Sequence, residues 1–419
     1  MTQNLSSPLN RITVLDALRG FALLGIIVIH MIQHFAFGYV PTSTETLHFP
    51  IFDSATQWIG SNVVMGRFIN IFAFLFGLSL FIQLDKAEKK GVDFRFRFAW
   101  RMVLLFAFGL LCHSFYSVEI ISAYGLFGFF LVLISRVKTK YLILLFLFFL
   151  LGGPRVIQAT KHNLTLSEQP QITQSNEKIS VLVEEPVVVA IHLADPSFLR
   201  TAKYNYQNRL DSKLTYQFGF MGRGYLTFSL FVLGLIVGRI RFFEAMYENK
   251  SRIQTLFLGF AAATVLTSVA QVLLPEHDKR MFFMDKGLYL PISLFVSQAL
   301  KDIYLVLSSG VIITGFVLLY ESKRIRVYLE KLSAYGRVAL TNYISQGFIG
   351  AILFSPWAFG FTFNAWGLTA LVLLGFAIFT IQCAISKLWL KYYLYGPLEW
   401  LLRTGTYLRA QSWRRSIPV

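Results

Sequence analysis

LDALRGFALLGIIVIHMIQHFAFGY, residues 15–39, decides the fold. As a helix this run reaches about 37 Å at 1.5 Å per residue, more than the roughly 30 Å hydrocarbon layer of a bilayer. Residues 1–14 are polar, and no small-residue cleavage site soon follows the run, so it reads as a retained signal anchor. Comparable apolar runs recur at 58–84, 99–118, 120–135, 141–158, 222–241, 253–274, 291–320, 338–360 and 364–390. They predict an all-α, polytopic transmembrane helix bundle of about ten spans. Lys301 and Asp302 interrupt the eighth run, which therefore reads as a short interfacial helix followed by a true span.

The composition agrees. Apolar residues make up 55% of 419, charged residues only 15%, and mean hydropathy is +0.57. A soluble chain of this length needs far more polar surface. The net charge of +17 raises nucleic acid as a partner. Its basic residues, however, gather at the ends of apolar runs, where lipid headgroups are the partner, so no nucleic acid is expected. Cys112 and Cys383 both fall inside apolar runs, which argues against a disulfide framework.

Orientation follows from the short loops. Lys86, Lys89, Lys90, Arg95, Arg97 and Arg101 crowd one, and Arg136, Lys138 and Lys140 another; 239–252, 321–337 and the C-terminal tail are basic too. The alternate loops 41–57 and 359–365 carry no Lys or Arg, whereas 275–287, with Lys279, Arg280 and Lys286, breaks the pattern. The positive-inside rule puts both termini in the cytoplasm of a multi-pass protein of the bacterial inner membrane. The chain divides into five spans over 1–158, an extracytoplasmic loop at 159–218, and five spans over 219–419. Val181–Ile191 in that loop reads as a strand or a segment lying across the mouth of the bundle.

Ionisable groups inside spans are costly, so each is a functional candidate. Arg19 and His30 are eleven residues apart, which leaves them about 20° apart around one helix and about 16 Å apart along it. Arg19 then sits near the cytoplasmic headgroups, as an anchor paired with Asp16 or as part of a site. His30 sits in the outer half, with His34 one turn further on the same side. The His-x3-His spacing suits a metal, but no third ligand with fixed spacing is present, and none is expected to bind. Arg67 with Asn70, His113 and Glu119 reach the same outer depth from other helices. Each alone has a structural reading; their shared depth favours a site. Arg337, Asn342 and Gln346 near the start of the ninth span read first as interhelical hydrogen bonding and second as substrate contacts. The segment 396–403, GPLEWLLR, reads as docking architecture at the headgroup layer. No Walker loop, Rossmann glycine fingerprint or Gly-x-Ser-x-Gly elbow occurs, which argues against ATP-driven transport by this chain alone, nicotinamide chemistry and soluble-hydrolase chemistry.

Several of these stretches resemble the YeiB-like bacterial membrane proteins, whose domain (number 418) has no known function. They are ITVLDALRGFALLGIIVIH at the start, GRFINIFAFLFGLS (66–79), FGLLCHSFYSVEIISAYG (108–125), YGRVALTNYISQ (335–346) and YGPLEWLLRTGTY (395–407). The resemblance covers nearly the whole chain outside 159–218. The family more often has Lys at position 67, Asp at 119 and Asn at 30. Its first helices are similar in turn to the transmembrane acyltransferase superfamily, including the acyltransferase-3 enzymes and heparan glucosaminide acetyltransferase. Arg19 and His30 match the Arg/Lys-x10-His of acyltransferase-3 residue for residue.

That resemblance implies transfer of an acyl group, acetyl above all, from cytoplasmic acyl-CoA to an extracytoplasmic acceptor such as a glycan or small metabolite. His30 would be general base or acyl carrier, His113 and Glu119 its tuning groups, and Arg67 the oxyanion stabiliser. Arg19 and Arg337 would meet the CoA phosphates, and His34, Asn70, Asn342 and Gln346 would contact substrate. A transporter of a small solute using the same buried His, Arg and Glu groups is the competing expectation. A membrane partner without chemistry is the third. Homodimerisation stays open.

Overall fold

A computed structural model describes residues 8–36, 46–168, 196–243, 250–275 and 289–415, and no strand occurs among them. The helices are α1 (Pro8–Ile32), α2 (Pro50–Ile59), α3 (Arg67–Glu88), α4 (Arg95–His113), α5 (Ile121–Ile134), α6 (Thr139–Leu150) and α7 (Gly153–Glu168). They continue with α8 (Phe198–Tyr204), α9 (Leu210–Phe218), α10 (Arg223–Arg239), α11 (Lys250–Val272) and α12 (Ile292–Glu321). Then come α13 (Lys323–Leu329), α14 (Lys331–Arg337), α15 (Ala339–Phe354), α16 (Leu368–Tyr392) and α17 (Pro397–Tyr407).

The chain is a helical membrane bundle. Six helices among the described residues are long and apolar enough to cross: Thr13–Ile32, Pro50–Glu88, Arg95–His113, Lys250–Val272, Ile292–Glu321 and Leu368–Tyr392. Two further units are bent pairs, α6 with α7 at 52° and the segment Phe198–Phe218 with α10 at 56°, while α5 and α15 are shorter apolar helices. Each expected apolar run coincides in position with one of these elements, of which six, or eight with the bent pairs, are long enough to cross among the described residues.

Two expectations need correcting. The eighth run is not divided at Lys301 and Asp302: α12 is one helix of 30 residues. Asp302 is accommodated because Arg155 of α7 meets it inside the bundle, at 2.6 Å, with Gln298 donating at 3.1 Å. The segment 159–218 is also not wholly an outer loop. Its described ends are helical, and Asn205 and Gln217 are buried against the bundle. The Val181–Ile191 stretch and the 279–286 basic residues lie outside the described residues.

α1 is the central helix, packed by α3, α12, α14, α15 and α16. Val14, Leu18, Leu23, Ile27 and Met31 along it are inaccessible to solvent or nearly so. Without a hydrophobic drive between helices in lipid, close approach at small residues supplies the packing energy. A Cβ on Gly336 of α14 would lie 1.8 Å from the Asp16 carbonyl oxygen, and one on Gly20 would lie 2.4 Å from that of Leu332. The α3–α10 crossing repeats the device, with Gly77 against the Phe231 carbonyl and Gly234 against that of Phe74.

At the other end of the chain a hook closes on itself. Tyr393 bridges to Arg414, Leu394 N–H donates to Trp413, and Arg415 N–H donates to Tyr392. Trp400 and Trp413 stack at 4.7 Å and Trp389 and Tyr393 at 4.1 Å. Glu399 of α17 reaches back to α15: its Oε1 accepts the N–H groups of Leu340 and Thr341 at 2.7 and 3.0 Å, and its Oε2 the Thr341 hydroxyl at 2.6 Å. A remote carboxylate thus satisfies the first, otherwise orphaned, donors of that helix.

Candidate functional site

His30 stands in the last turn of α1, where the chain leaves the helix through three successive non-glycine residues with positive φ: His34 (48°), Phe35 (51°) and Ala36 (56°). Such a run is sparsely populated and persists only where surroundings over-determine it. Here Phe35 is buried between Tyr116, Phe354 and the His30 ring, and Arg209 donates to the Ala36 carbonyl at 2.7 Å. His34 presents its ring to the edge of Phe354.

The hydroxyl of buried Tyr116 is 2.9 Å from His30 Nε2 and 3.2 Å from Nδ1, with the two rings perpendicular. Either ring nitrogen can therefore accept the phenol proton, and the described polar contact of His30 is to an uncharged group. Tyr116 belongs to the α4–α5 turn, which also holds Glu119 and follows His113 at the end of α4. Glu119 is 1% exposed; it accepts from Ser122 N–H at 2.9 Å and from the Ser122 hydroxyl, and it forms an ion pair with Lys213 of α9. His113, fully buried, has Nε2 at 3.0 Å from the Asn205 carbonyl and its ring against Tyr206. Tyr343 of α15 completes the wall, its hydroxyl accepting the Ile120 N–H at 3.1 Å.

His30, His113 and Glu119 thus gather around one turn. Arg67 and Asn70 do not join them. The Arg67 guanidinium donates to the Tyr304 hydroxyl at 2.9 Å and to the Met65 carbonyl at 3.0 Å, and it lies over the Tyr304 ring. Asn70 Oδ1 accepts from Arg223 at 2.6 Å. This second group adjoins the Arg155–Asp302 ion pair, whose side chains are 1% and 4% exposed.

On the side expected to face the cytoplasm, Arg19 pairs with Asp16 and donates to Ser79 Oγ at 2.6 Å, with a quarter of its side chain exposed. Arg337 is exposed and within electrostatic reach of the same Asp16. Asn342 and Gln346 are engaged in helix packing. Asn342 donates to the Tyr335 carbonyl and to Ser386, each at 3.0 Å, and Gln346 donates to the Tyr335 hydroxyl at 2.6 Å. Tyr335 in turn donates to Gln382 at 2.8 Å. Among the described residues no group of three or more His, Cys, Asp or Glu is placed to hold a metal ion.

The sequence reading missed Tyr116, Tyr343, Lys213, Asn205, Arg155, Arg223 and Tyr304. Lys213 and Asn205 were hidden in a polar stretch taken for loop. Arg155 and Arg223 carried a usable signal, since Arg155 follows Gly-Gly-Pro and Arg223 follows a glycine, each at the start of a helix within an apolar region.

Residues 237–409 match the family described as protein of unknown function DUF418, the family expected from the motifs at 335–346 and 395–407. The chain is 27% identical over 427 residues to uncharacterized protein YxaH of Bacillus subtilis (strain 168), covering 96% of this chain and 95% of that one. It is 27% identical over 412 residues to an uncharacterized 39.9 kDa protein from the amylase 3′ region of Bacillus acidopullulyticus, covering 95% and 94%.

Proposed function

We propose that the protein is a ten-crossing acyltransferase of the bacterial cytoplasmic membrane, with both termini inside, that moves an acyl group, acetyl above all, from cytoplasmic acyl-CoA to an extracytoplasmic acceptor. The observation that carries the reading is His30 on the central helix, held by an uncharged phenol and about 16 Å along the axis from Arg19, a quarter of whose side chain is exposed. Arg19 and Arg337 meet the CoA phosphates through charge-assisted hydrogen bonds. His30 takes the proton of the acceptor hydroxyl or amine as that group attacks the thioester carbonyl. CoA leaves as the thiolate, and the proton on His30 returns to it or to solvent. Tyr116 fixes the imidazole, while the Glu119–Lys213 pair and His113 hold the turn that carries Tyr116. Arg67, being on Tyr304, is left out of this step.

The test is acyl-CoA turnover by purified protein in nanodiscs with a panel of hydroxyl and amine acceptors. Wild type is expected to turn over acetyl-CoA, and His30→Ala to lose at least a hundredfold while still binding CoA. Equal rates in the two would refute the assignment. A solute transporter is the second reading, and the observation favouring it is the Arg155–Asp302 pair, buried where the bent α6–α7 unit meets α12. Counterflow of a solute in proteoliposomes, with no affinity for CoA, would establish it instead.

A further inference from the structure

Three helices begin at one place, and each begins the same way. A glycine with positive φ (Gly66, 79°; Gly152, 77°; Gly222, 57°) precedes α3, α7 and α10, and an arginine occupies the first turn: Arg67, Arg155 and Arg223. None of the three first turns holds an acidic residue, and α3 and α10 have no side-chain cap. The starts converge, since Arg223 donates to Asn70 Oδ1 and, at 3.4 Å, to the Gly66 carbonyl, while Arg155 donates to the Gly222 carbonyl at 3.0 Å. Helix N-termini carry partial positive charge, so an arginine there is electrostatically opposed unless an anion shares the site.

The balance of charge is uneven. Arg155 is matched by Asp302. Arg67 is 4% exposed, and its described partners are a backbone carbonyl and a phenol. Those of Arg223 are a backbone carbonyl and an amide. Among the described residues neither has a carboxylate within ion-pair distance. A second observation points the same way: Asn70, 0% exposed and bonded through Oδ1 to Arg223, leaves its Nδ2 without a partner, and the Nε of Arg155 is likewise unpaired. Among the described residues the unpartnered side-chain atoms at this point are donors, and the carboxylate within electrostatic reach of Arg223, that of Asp302, is already paired with Arg155.

We infer that the junction of α3, α7 and α10 binds an oxyanion, the phosphate or carboxylate group of a ligand, between Arg67, Arg223 and Asn70. Forked guanidinium donors and an amide N–H suit that geometry, and half-helix N-termini aimed at an anion are the arrangement broken membrane helices use. The ligand is defined by charge alone, so the inference stands whether or not an acyl group is transferred at His30.

The experiment is thermal unfolding of the full chain in a chloride buffer, in detergent titrated with inorganic phosphate or acetate, and in nanodiscs of phosphatidylcholine with or without phosphatidylglycerol. Wild type is expected to show a saturable rise in midpoint. A response to free phosphate or acetate assigns a solute anion, and one confined to phosphatidylglycerol assigns a lipid headgroup; both uphold the site. Asn70→Asp supplies a resident carboxylate of the same shape. It is expected to fold, to unfold at a higher midpoint without added anion, and to respond at least tenfold more weakly. Arg223→Gln is expected to weaken the response similarly, although the Asn70→Asp result decides should that variant fail to fold. A wild type flat in all arms, or Asn70→Asp rising in parallel with it, overturns the inference.

Discussion

Lys213 gives the α4–α5 turn its electrostatic closure, because Glu119 is enclosed and, among the described residues, pairs with this cation. Breaking a buried pair from one side leaves the other charge stranded, which costs about 3–5 kcal/mol. Lys213→Met is therefore expected to destabilise by about 3 kcal/mol, and Glu119→Gln in the same chain to restore most of it; unfolding in mixed micelles measures both. Additive losses in the double variant would contradict the pairing. Tyr116→Phe removes one hydroxyl from His30 and is expected to cost about 1 kcal/mol of stability. Its effect on acyl transfer should be larger than that, with CoA affinity unchanged, because orientation of the imidazole is what it supplies. At this scale the sequence was half readable. Helical periodicity and depth brought His30, His113 and Glu119 to one neighbourhood, but nothing in a single sequence says that Tyr116 of the following turn reaches back to His30.

Among the elements, α14 shows how a short helix is seated by the absence of a side chain. Gly336→Ala would drive a methyl into the Asp16 carbonyl and is expected to cost at least about 1–3 kcal/mol. Gly259→Ala, on the exposed length of α11 with nothing within 4 Å, is expected to be neutral or to gain up to about 1 kcal/mol. The two variants, compared by melting in one detergent, separate packing from propensity. Glu399 adds a pH signature. Desolvation raises its carboxyl above the usual range, outweighing the donors of Leu340 and Thr341. A carboxyl that holds its proton more tightly when folded contributes stability below its unfolded value, about 4.3, and loses it as pH rises through the raised folded value. Stability is thus expected to decline over that interval in wild type and to be flatter in Glu399→Gln. A steeper slope in the variant would reverse the sign. Apolar runs located the helices because the bilayer imposes their length. The unbroken α12 and the helical return over 198–218 escaped because Asp302 and Lys213 are neutralised by partners distant in sequence.

At the scale of the whole molecule, the proposed orientation rests on where the cations lie. Lys86, Lys89, Lys90, Arg95 and Arg97 sit at one end of α3 and α4, and Arg136 and Lys138 sit between α5 and α6, with Lys140 in the first turn of α6. A fluorescent protein fused after Val419 is expected to fluoresce and alkaline phosphatase fused there to be inactive, since both report on the compartment of the C-terminus. The opposite pair of results would invert the bundle and with it the sidedness of Arg19 and His30. The hook at that same end has an optical consequence. Trp400 and Trp413 are stacked closely enough for their excited states to couple, and Trp389 with Tyr393 lies alongside. The tail's Trp413 forms a chromophore pair with Trp400 of α17, so its release from that helix should change the near-ultraviolet circular dichroism and the indole emission of the unlabelled chain.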